Sequence, residues 1–300
     1  MASRVSGSIQ ASPSKSYTHR AIVLAALSQG PCHLHRPLLA EDTEATIQGI
    51  GAFGADITRT GDGLQISAGP LHSSDAPIDA RNSGTTLRFL SGVASLLPGP
   101  TLLTGDVSLR KRPMGPLLDA LERLGARAGS LSGDGRPPVK VQGVIRGGRA
   151  SVPGFISSQF LSSLLIAAPL AANPSEIQVV PPTRSEPYVA MTRRTMRAFG
   201  VEVDLTENTF RIEGGQSYTP TDVDIPGDFS SAAFPLVAAA ITGGDVTVEG
   251  LNADSPDGDS RIVDLLRSFG ARVDTLPNRV RVRSGDLVTL TVAGRSRDGG

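Results

Sequence analysis

IGAFGADI (50–57), LERLGARA (121–128), MRAFGVEV (196–203) and LRSFGARV (266–273) are four versions of one phrase. Each closes an apolar, helix-periodic run on a glycine and continues into a β-type run. The glycines are Gly54, Gly125, Gly200 and Gly270, spaced by 71, 75 and 70 residues. A glycine just past a helix end supplies the positive φ that a C-terminal cap requires. The recurrence predicts one supersecondary unit used several times, each copy unable to bury its apolar face alone.

Working back from each glycine, a second feature recurs in the same register. Small or hydroxyl residues open an apolar helical segment at Ser14-Lys15-Ser16, Ser83-Gly84-Thr85, Ser157-Ser158-Gln159 and Asp228-Phe229-Ser230-Ser231. Helix-period stretches such as HRAIVLAALSQ and SAAFPLVAAAIT follow. Within a unit the order reads strand, helix, strand, helix, hairpin. The first unit runs from the Ser14 helix through CHLHRP and a helix over 41–53, and the others cover 80–146, 147–217 and 221–287. LVTLTVAG (287–294) reads as the opening strand of a fifth. Three units packed about a pseudo-threefold axis would close a domain over 14–226. Residues 1–13 with 227–300 then form a partial second domain. The plain alternative is an α/β solenoid with no site.

Composition bounds the function. The 300 residues can bury a sizeable core and suit two domains. The 34 Gly and 22 Pro fit frequent short turns. Net charge is zero, so any anion site must be local, and no global field recruits nucleic acid or a membrane surface. Aromatic content of 4% with no Trp argues against a base-stacking surface. The only cysteine, Cys32, excludes an internal disulfide and suits a reducing, cytoplasmic setting. The longest apolar stretch, Phe160 to Ala172, is broken by Ser162, Ser163 and Pro169, too short to span a bilayer.

The helix starts carry the chemistry. Helix N-termini expose unpaired N–H groups and the positive end of the dipole, so several pointing inward make a multi-anion pocket. Ordinary N-capping by Ser, Thr and Asp is the bland reading of any one of them. Added cations favour the pocket. SPSKSYTHR places Lys15 in a cap, with Arg20 one and a half turns on; Lys15 is one of only three lysines, with Lys111 and Lys140. ARNSGTTLRF holds Asn82, Gly84, which admits close approach to the backbone, and Arg88. TGDVSLRKRPMG carries Arg110, Lys111 and Arg112 before Pro113, read as the first residue of the next helix. Such a cluster is either a phosphate or carboxylate clamp or a solvated basic loop. GFISSQFLSS offers the neutral donors Ser157, Ser158 and Gln159, and TRSEPYVAMT offers Arg184, Ser185 and Tyr188. Tyr188 reads equally as a half-buried packing residue.

PSKSYTHR, NSGTTLR, TGD…RKRPMG, SSQF, SEPY and GDFSSAAF stand in the order found in 5-enolpyruvylshikimate-3-phosphate synthases, and the chain resembles that family over essentially its whole length. The resemblance implies an α/β fold of repeated βαβαββ units, a two-domain inside-out α/β barrel with the second domain incomplete here and the active site between domains. It implies enolpyruvyl transfer from phosphoenolpyruvate to the 5-hydroxyl of shikimate 3-phosphate, releasing phosphate, with no metal or organic cofactor. By the same resemblance, Lys15 is catalytic and contacts both substrates. Ser16 and Arg20 bind shikimate 3-phosphate, and Gly84 and Arg112 bind phosphoenolpyruvate. Ser157, Ser158 and Ser185 hold the shikimate phosphate beside Tyr188, and Gln159 lies near both ligands. Asn82 and Arg88 support, while Asp228 and Ser230 belong to a hinge. A monomer without nucleic-acid or membrane partners is expected.

The sequence departs from the family at its tail. The family's Pro-Asp base, partner glutamate and further cations belong to fifth and sixth units, and Asp298 in RSRDGG does not match. Little turnover by this chain alone is the expectation. UDP-N-acetylglucosamine enolpyruvyltransferases share the fold but usually carry a cysteine in the loop equivalent to 106–113, which has none here. RNA 3′-phosphate cyclases use related repeats, but neutral charge and few aromatics disfavour RNA. A non-catalytic phosphoshikimate-binding module is the reading from another class. Cys32-His33-Leu34-His35 puts both histidines on one strand face, yet the sequence offers no further ligand cluster. Asp254, Asp257 and Asp259 lack a twelfth-position Glu and read as caps of a helix over 258–269 rather than a calcium loop.

Overall fold

The structure, a computed structural model, describes residues 4–182, 186–253 and 257–288. It divides into two compact units, Ser14–Ile225 and Met1–Pro13 with Pro226–Gly300.

The larger unit contains three copies of one motif. The first copy is α1 (Lys15–Leu27), β2 (Cys32–His35), α2 (Glu41–Ala52), β3 (Asp56–Arg59) and β4 (Gly63–Ser67). The second is β5 (Ile78–Asp79), α3 (Gly84–Ala94), β6 (Pro100–Thr104), α4 (Gly115–Arg123), β7 (Arg127–Ser130) and β8 (Val139–Gln142). The third is β9 (Gly148–Pro153), α5 (Ser158–Ala167), β10 (Ser175–Val180), α6 (Glu186–Ala198), β11 (Asp204–Thr206) and β12 (Thr209–Ile212). Each sheet joins one parallel pair to an antiparallel hairpin: β5-β6-β8-β7, β9-β10-β12-β11, and β13-β2-β4-β3, where β13 (Val223–Asp224) lies parallel to β2. The strand before α1, β1 (Ser6–Gln10), instead lies parallel to β14 (Asp245–Glu249) in the smaller unit. The first and fourth copies therefore exchange their opening strands. That exchange closes the three-sheet unit without a free strand of its own.

The repeated glycines do what their spacing predicts. Gly54, Gly125, Gly200 and Gly270 have φ of 95°, 110°, 80° and 92°. At all four helix ends the residue after the glycine donates its N–H to a carbonyl five residues back: Ala55 to Ile50, Ala126 to Leu121, Val201 to Met196 and Ala271 to Leu266, at 3.0–3.3 Å. The paired residues are apolar, which completes the hydrophobic contact of this cap. A Cβ at any of these glycines would strain the backbone.

Burial separates the helices into two classes. In α1 every residue from Tyr17 to Leu27 is buried, in α5 every residue from Phe160 to Ala167, and in α3 all but Thr85. The strands alternate, one face in and one face out, as in β2 and β8. The three sheets thus lie outside and α1, α3 and α5 inside, packed against α2, α4 and α6. α3 and α5 approach closely. A Cβ on Gly92 would fall 2.6 Å from Ser163 Oγ and 2.9 Å from its carbonyl, and Ser163 Oγ donates to Arg88 O at 2.6 Å.

The smaller unit repeats the motif once more with α7 (Phe229–Ile241), β14, α8 (Ile262–Ser268), β15 (Arg272–Leu276) and β16 (Arg279–Arg283), in the order β1-β14-β16-β15. Its core is Phe229, Leu236, Val246, Val248, Val280 and Val282. Two local expectations change. The helix read over 258–269 starts as a 3-10 turn, Gly258–Arg261, and becomes α-helical only at Ile262. Pro113 does not open α4: Met114 occupies the cap position and Pro116 sits in the first turn, while Leu109–Lys111 forms a separate 3-10 turn. From LVTLTVAG, residues 289–294 lie outside the described residues, as do Asp254 and Asp298.

Candidate functional site

The N-termini of α1, α3 and α5 open onto one cavity of about 610 Å³ in the larger unit. Ser14, Ser83 and Ser157 cap them, each hydroxyl accepting from a backbone N–H two or three residues on. None of the three helices has an acidic residue in its first turn, the position where a carboxylate would complement the dipole. Lys15, Ser16, Arg20, Asn82, Gly84, Arg112, Ser157, Ser158, Gln159 and Tyr188 line the cavity, together with Glu41, Asp42, Thr85 and Ile156. Ser185 and Arg184 lie outside the described residues. Asp228 caps α7 in the smaller unit, accepting from Ser231 N at 2.9 Å, and Ser230 bonds to Asp259.

Each cation is held differently. Lys15 Nζ donates to Asp42 Oδ2 at 2.8 Å and is half-exposed. Arg20 is 3% exposed, and its fork is bound on several sides. Nε donates to Thr192 Oγ1 at 2.8 Å, Nη1 to Ser16 O at 2.8 Å, and Nη2 to Tyr188 O at 3.0 Å and Ser162 Oγ at 3.5 Å. It ties α1 to α5 and α6 and lies 5.4 Å from the Phe89 ring centroid. Arg112 donates to Asn82 Oδ1 at 2.7 Å. Arg88 is buried behind Gly84, donating to Gln159 Oε1 and to Pro113 O at 3.2 Å, with its guanidinium 5.0 Å from the Phe160 ring centroid. Gln159 Nε2 donates to Thr85 Oγ1 at 2.9 Å. The basic cluster read from TGDVSLRKRPMG therefore divides. Arg112 reaches the cavity, Arg110 turns back to Gly105 O at 2.8 Å, and Lys111 faces solvent.

Arg88 and Arg112 meet over Gly84. A Cβ there would lie 3.0 Å from Nη1 of each. Burial, with the neighbouring Arg112 charge adding to it, lowers the Arg88 pKa to about 10, so it remains a cation at neutral pH. Among the described residues neither guanidinium has a carboxylate partner. Two adjacent, partly desolvated cations paired only with neutral amides repel each other until an anion arrives.

Behind the caps runs a buried chain of hydroxyls. His19 Nδ1 lies 2.7 Å from Thr46 Oγ1, Thr46 Oγ1 lies 2.7 Å from Thr86 Oγ1, and Thr86 Oγ1 lies 2.7 Å from Ser83 Oγ. It links α1, α2 and the α3 cap. Burial, opposed by Asp42 but reinforced by Arg20 and Lys15, drops the His19 pKa from 6.5 to about 3. A proton on Nε2 would have no acceptor among the described residues, because that atom is buried without a partner among them. The unfolded chain takes up this proton below pH 6.5 and the folded chain refuses it until about 3, so the stability is complete above 6.5 and drains away as pH falls through that window. We expect urea unfolding to show stability falling with pH below 6, by roughly 1 kcal/mol per pH unit from this group. His19→Gln should flatten the profile between pH 7 and 5; an unchanged slope would refute the assignment.

Sequence reasoning missed Asp42, Thr85, Thr192 and Ser162. Asp42 and Thr192 sit on other copies or helices and carry no local signal. Thr85 was within reach, because the repeat aligns it with Ser16 and Gln159.

The fold and site together define an α/β repeat protein that gathers helix N-termini and uncompensated guanidiniums around one cavity. Residues 1–293 match the family model of EPSP synthase (3-phosphoshikimate 1-carboxyvinyltransferase). The chain is 50% identical over 289 residues to the 3-phosphoshikimate 1-carboxyvinyltransferase of Methanothrix thermoacetophila, covering 95% of this chain and 68% of that one. The enzyme of that name from Methanothermobacter thermautotrophicus is 46% identical, with 95% and 68% covered. An EPSP synthase structure from Acinetobacter baumannii superposes with a TM-score of 0.80 at 30% identity, covering 93% of this chain and 65% of that one. The chain belongs to the EPSP synthase family of transferases. It spans about two thirds of the length of these relatives.

Proposed function

We propose that the cavity of the Ser14–Ile225 unit binds shikimate 3-phosphate and phosphoenolpyruvate for transfer of the enolpyruvyl group to the 5-hydroxyl. The observation that supports it best is the pair Arg88 and Arg112, without carboxylate partners among the described residues, beside the uncomplemented N-termini of α1, α3 and α5. Substrates bearing two phosphates and two carboxylates need such a surface. On this reading Ser157, Ser158 and the α5 N-terminus take the shikimate phosphate, with Ser185 and Tyr188 beside them. Ser16 and Arg20 fix the rest of that substrate. Gly84 and Arg112 take phosphoenolpyruvate, with Asn82 orienting Arg112 and Arg88 supporting from behind. Gln159 stands between the two. Lys15 moves from Asp42 to the substrates and supplies the catalytic cation, stabilising charge as phosphate departs.

Calorimetric titration with shikimate 3-phosphate tests the reading. One saturable site per chain, weakened at least about tenfold by Ser157→Ala, is expected. A folded chain that gives no saturable heat would overturn it.

A further inference from the structure

Away from the cavity, the outer face of the first sheet holds a second constellation. His33 and His35 lie two apart on β2, so their rings share the solvent-facing side while Cys32 and Leu34 are buried. The two ring centroids are 4.3 Å apart. The sequence alone offers these histidines no third ligand. The fold supplies one: Asp62, in the turn between β3 and β4, accepts from His33 Nε2 at 3.1 Å and His35 Nδ1 at 2.9 Å. Among the described residues this is the only group of three His, Cys, Asp or Glu whose ligand atoms lie together, all within 4.8 Å of one another. None of the three lines the anion cavity.

We propose that His33, His35 and Asp62 form a surface site for a transition-metal dication of the zinc class, clipping β2 to the β3–β4 turn. Tetrahedral zinc with bonds of about 2.0–2.2 Å sets its ligand atoms roughly 3.4 Å apart. The His–Asp separations, each to a different carboxylate oxygen, are 3.1 and 2.9 Å, and one ligand atom from each residue lies within 4.8 Å of the others, a spread that has to narrow by up to about 1.4 Å around the ion. Two imidazoles and one carboxylate form a donor set that zinc, nickel or copper favours, with the fourth position left to water. Magnesium and calcium prefer oxygen ligands and are not expected to compete.

The surroundings are arranged for it. Thr60 Oγ1 donates to Asp62 Oδ1 at 3.1 Å, orienting the carboxylate as an outer partner does at metal sites. Arg36 N donates to Asp62 O at 2.9 Å, which pins the turn to the end of β2. On the neighbouring strand β13, Asp224 stands opposite His35 in parallel register and therefore on the same face. Asp222 accepts from His33 N at 2.9 Å. Arg36 is the nearby cation, 4.0 Å from Asp224, and Gln65, facing His33 across the β2–β4 ladder, is neutral. Three carboxylates against one guanidinium leave a local negative field that attracts a dication.

Titration of the tag-free chain with zinc chloride in a non-chelating buffer decides the matter. Expected are one zinc per chain, a rise in Tm with zinc that magnesium does not reproduce, and at least about a tenfold loss of affinity in His33→Ala, His35→Ala and Asp62→Asn. Absence of saturable zinc binding, or binding retained in the double variant His33→Ala/His35→Ala, would overturn the proposal. Shikimate 3-phosphate titration of the same variants serves as the folding control, since none touches the cavity.

Discussion

Arg20→Ala is expected to abolish measurable shikimate 3-phosphate binding, with a loss of at least about 100-fold, and to destabilise the chain by about 2–4 kcal/mol. The two effects share one cause. Arg20 is nearly inaccessible, and its fork holds Ser16 on α1, Ser162 on α5, and Tyr188 and Thr192 on α6. Truncation empties a buried volume and strips the Ser16 and Tyr188 carbonyls of a charged donor. Ser162 and Thr192 soften the loss, because their hydroxyls lie 2.8 Å apart and can bond each other. The cavity also loses a positive charge fixed in its wall, which substrate binding does not have to order first. Arg20→Lys separates the effects. It keeps the charge but cannot reach partners on three helices at once. Urea unfolding should recover part of the stability, while calorimetry should show binding still weakened at least tenfold, on the order of 1.4 kcal/mol. Binding close to wild type in Arg20→Lys would show that charge alone matters and that the fork geometry does not.

Much of this frame is legible in the sequence. Gly54, Gly125, Gly200 and Gly270 declared the repeat because a helix end of this kind needs a residue with free access to positive φ, a local demand written in single positions. Ser14, Ser83 and Ser157 were legible for a similar reason, since a cap is satisfied within three residues. What stayed hidden was long-range. Nothing near Lys15 announces Asp42, nothing near Arg20 announces Thr192, and nothing near His33 announces Asp62, because sheet register and helix packing create these pairs. The parallel pairing of β13 with β2 was hidden too. Pairing partners of two-residue strands leave almost no trace in composition. The misread start at Pro113 shows the opposite hazard, a strong local signal overridden when Arg112 is drawn toward Asn82 and the chain extends before α4 begins.

Gly84→Ala should separate stability from ligand affinity in the other direction. Gly84 is the first residue of α3, and its φ lies outside the left-handed region, so alanine meets no backbone strain. Losing glycine's freedom in the unfolded chain should by itself stabilise by about 0.4–1 kcal/mol. The new methyl meets Nη1 of Arg112 and of Arg88 at 3.0 Å and Gln159 Oε1 at 3.5 Å. These are side-chain tips and can yield by a few tenths of an ångström, so the fold should tolerate the change. They cannot yield without cost to the site. Arg88 is held by Gln159 and Pro113 O above the Phe160 ring, so Arg112, bonded to Asn82 and more exposed, must move. Displacing a guanidinium from an anion it binds bidentately loses most of that interaction. The expected result is a Tm equal to or slightly above the parent, shikimate 3-phosphate binding changed less than about threefold, and phosphoenolpyruvate affinity in its presence lowered about 10- to 100-fold. A matching fall in both affinities would mean that the methyl disturbs the α3 N-terminus as a whole. A fall in neither would mean that the Arg88–Arg112 pair does not receive phosphoenolpyruvate, and the reason for two unneutralised guanidiniums at this helix end would have to be sought in another anion.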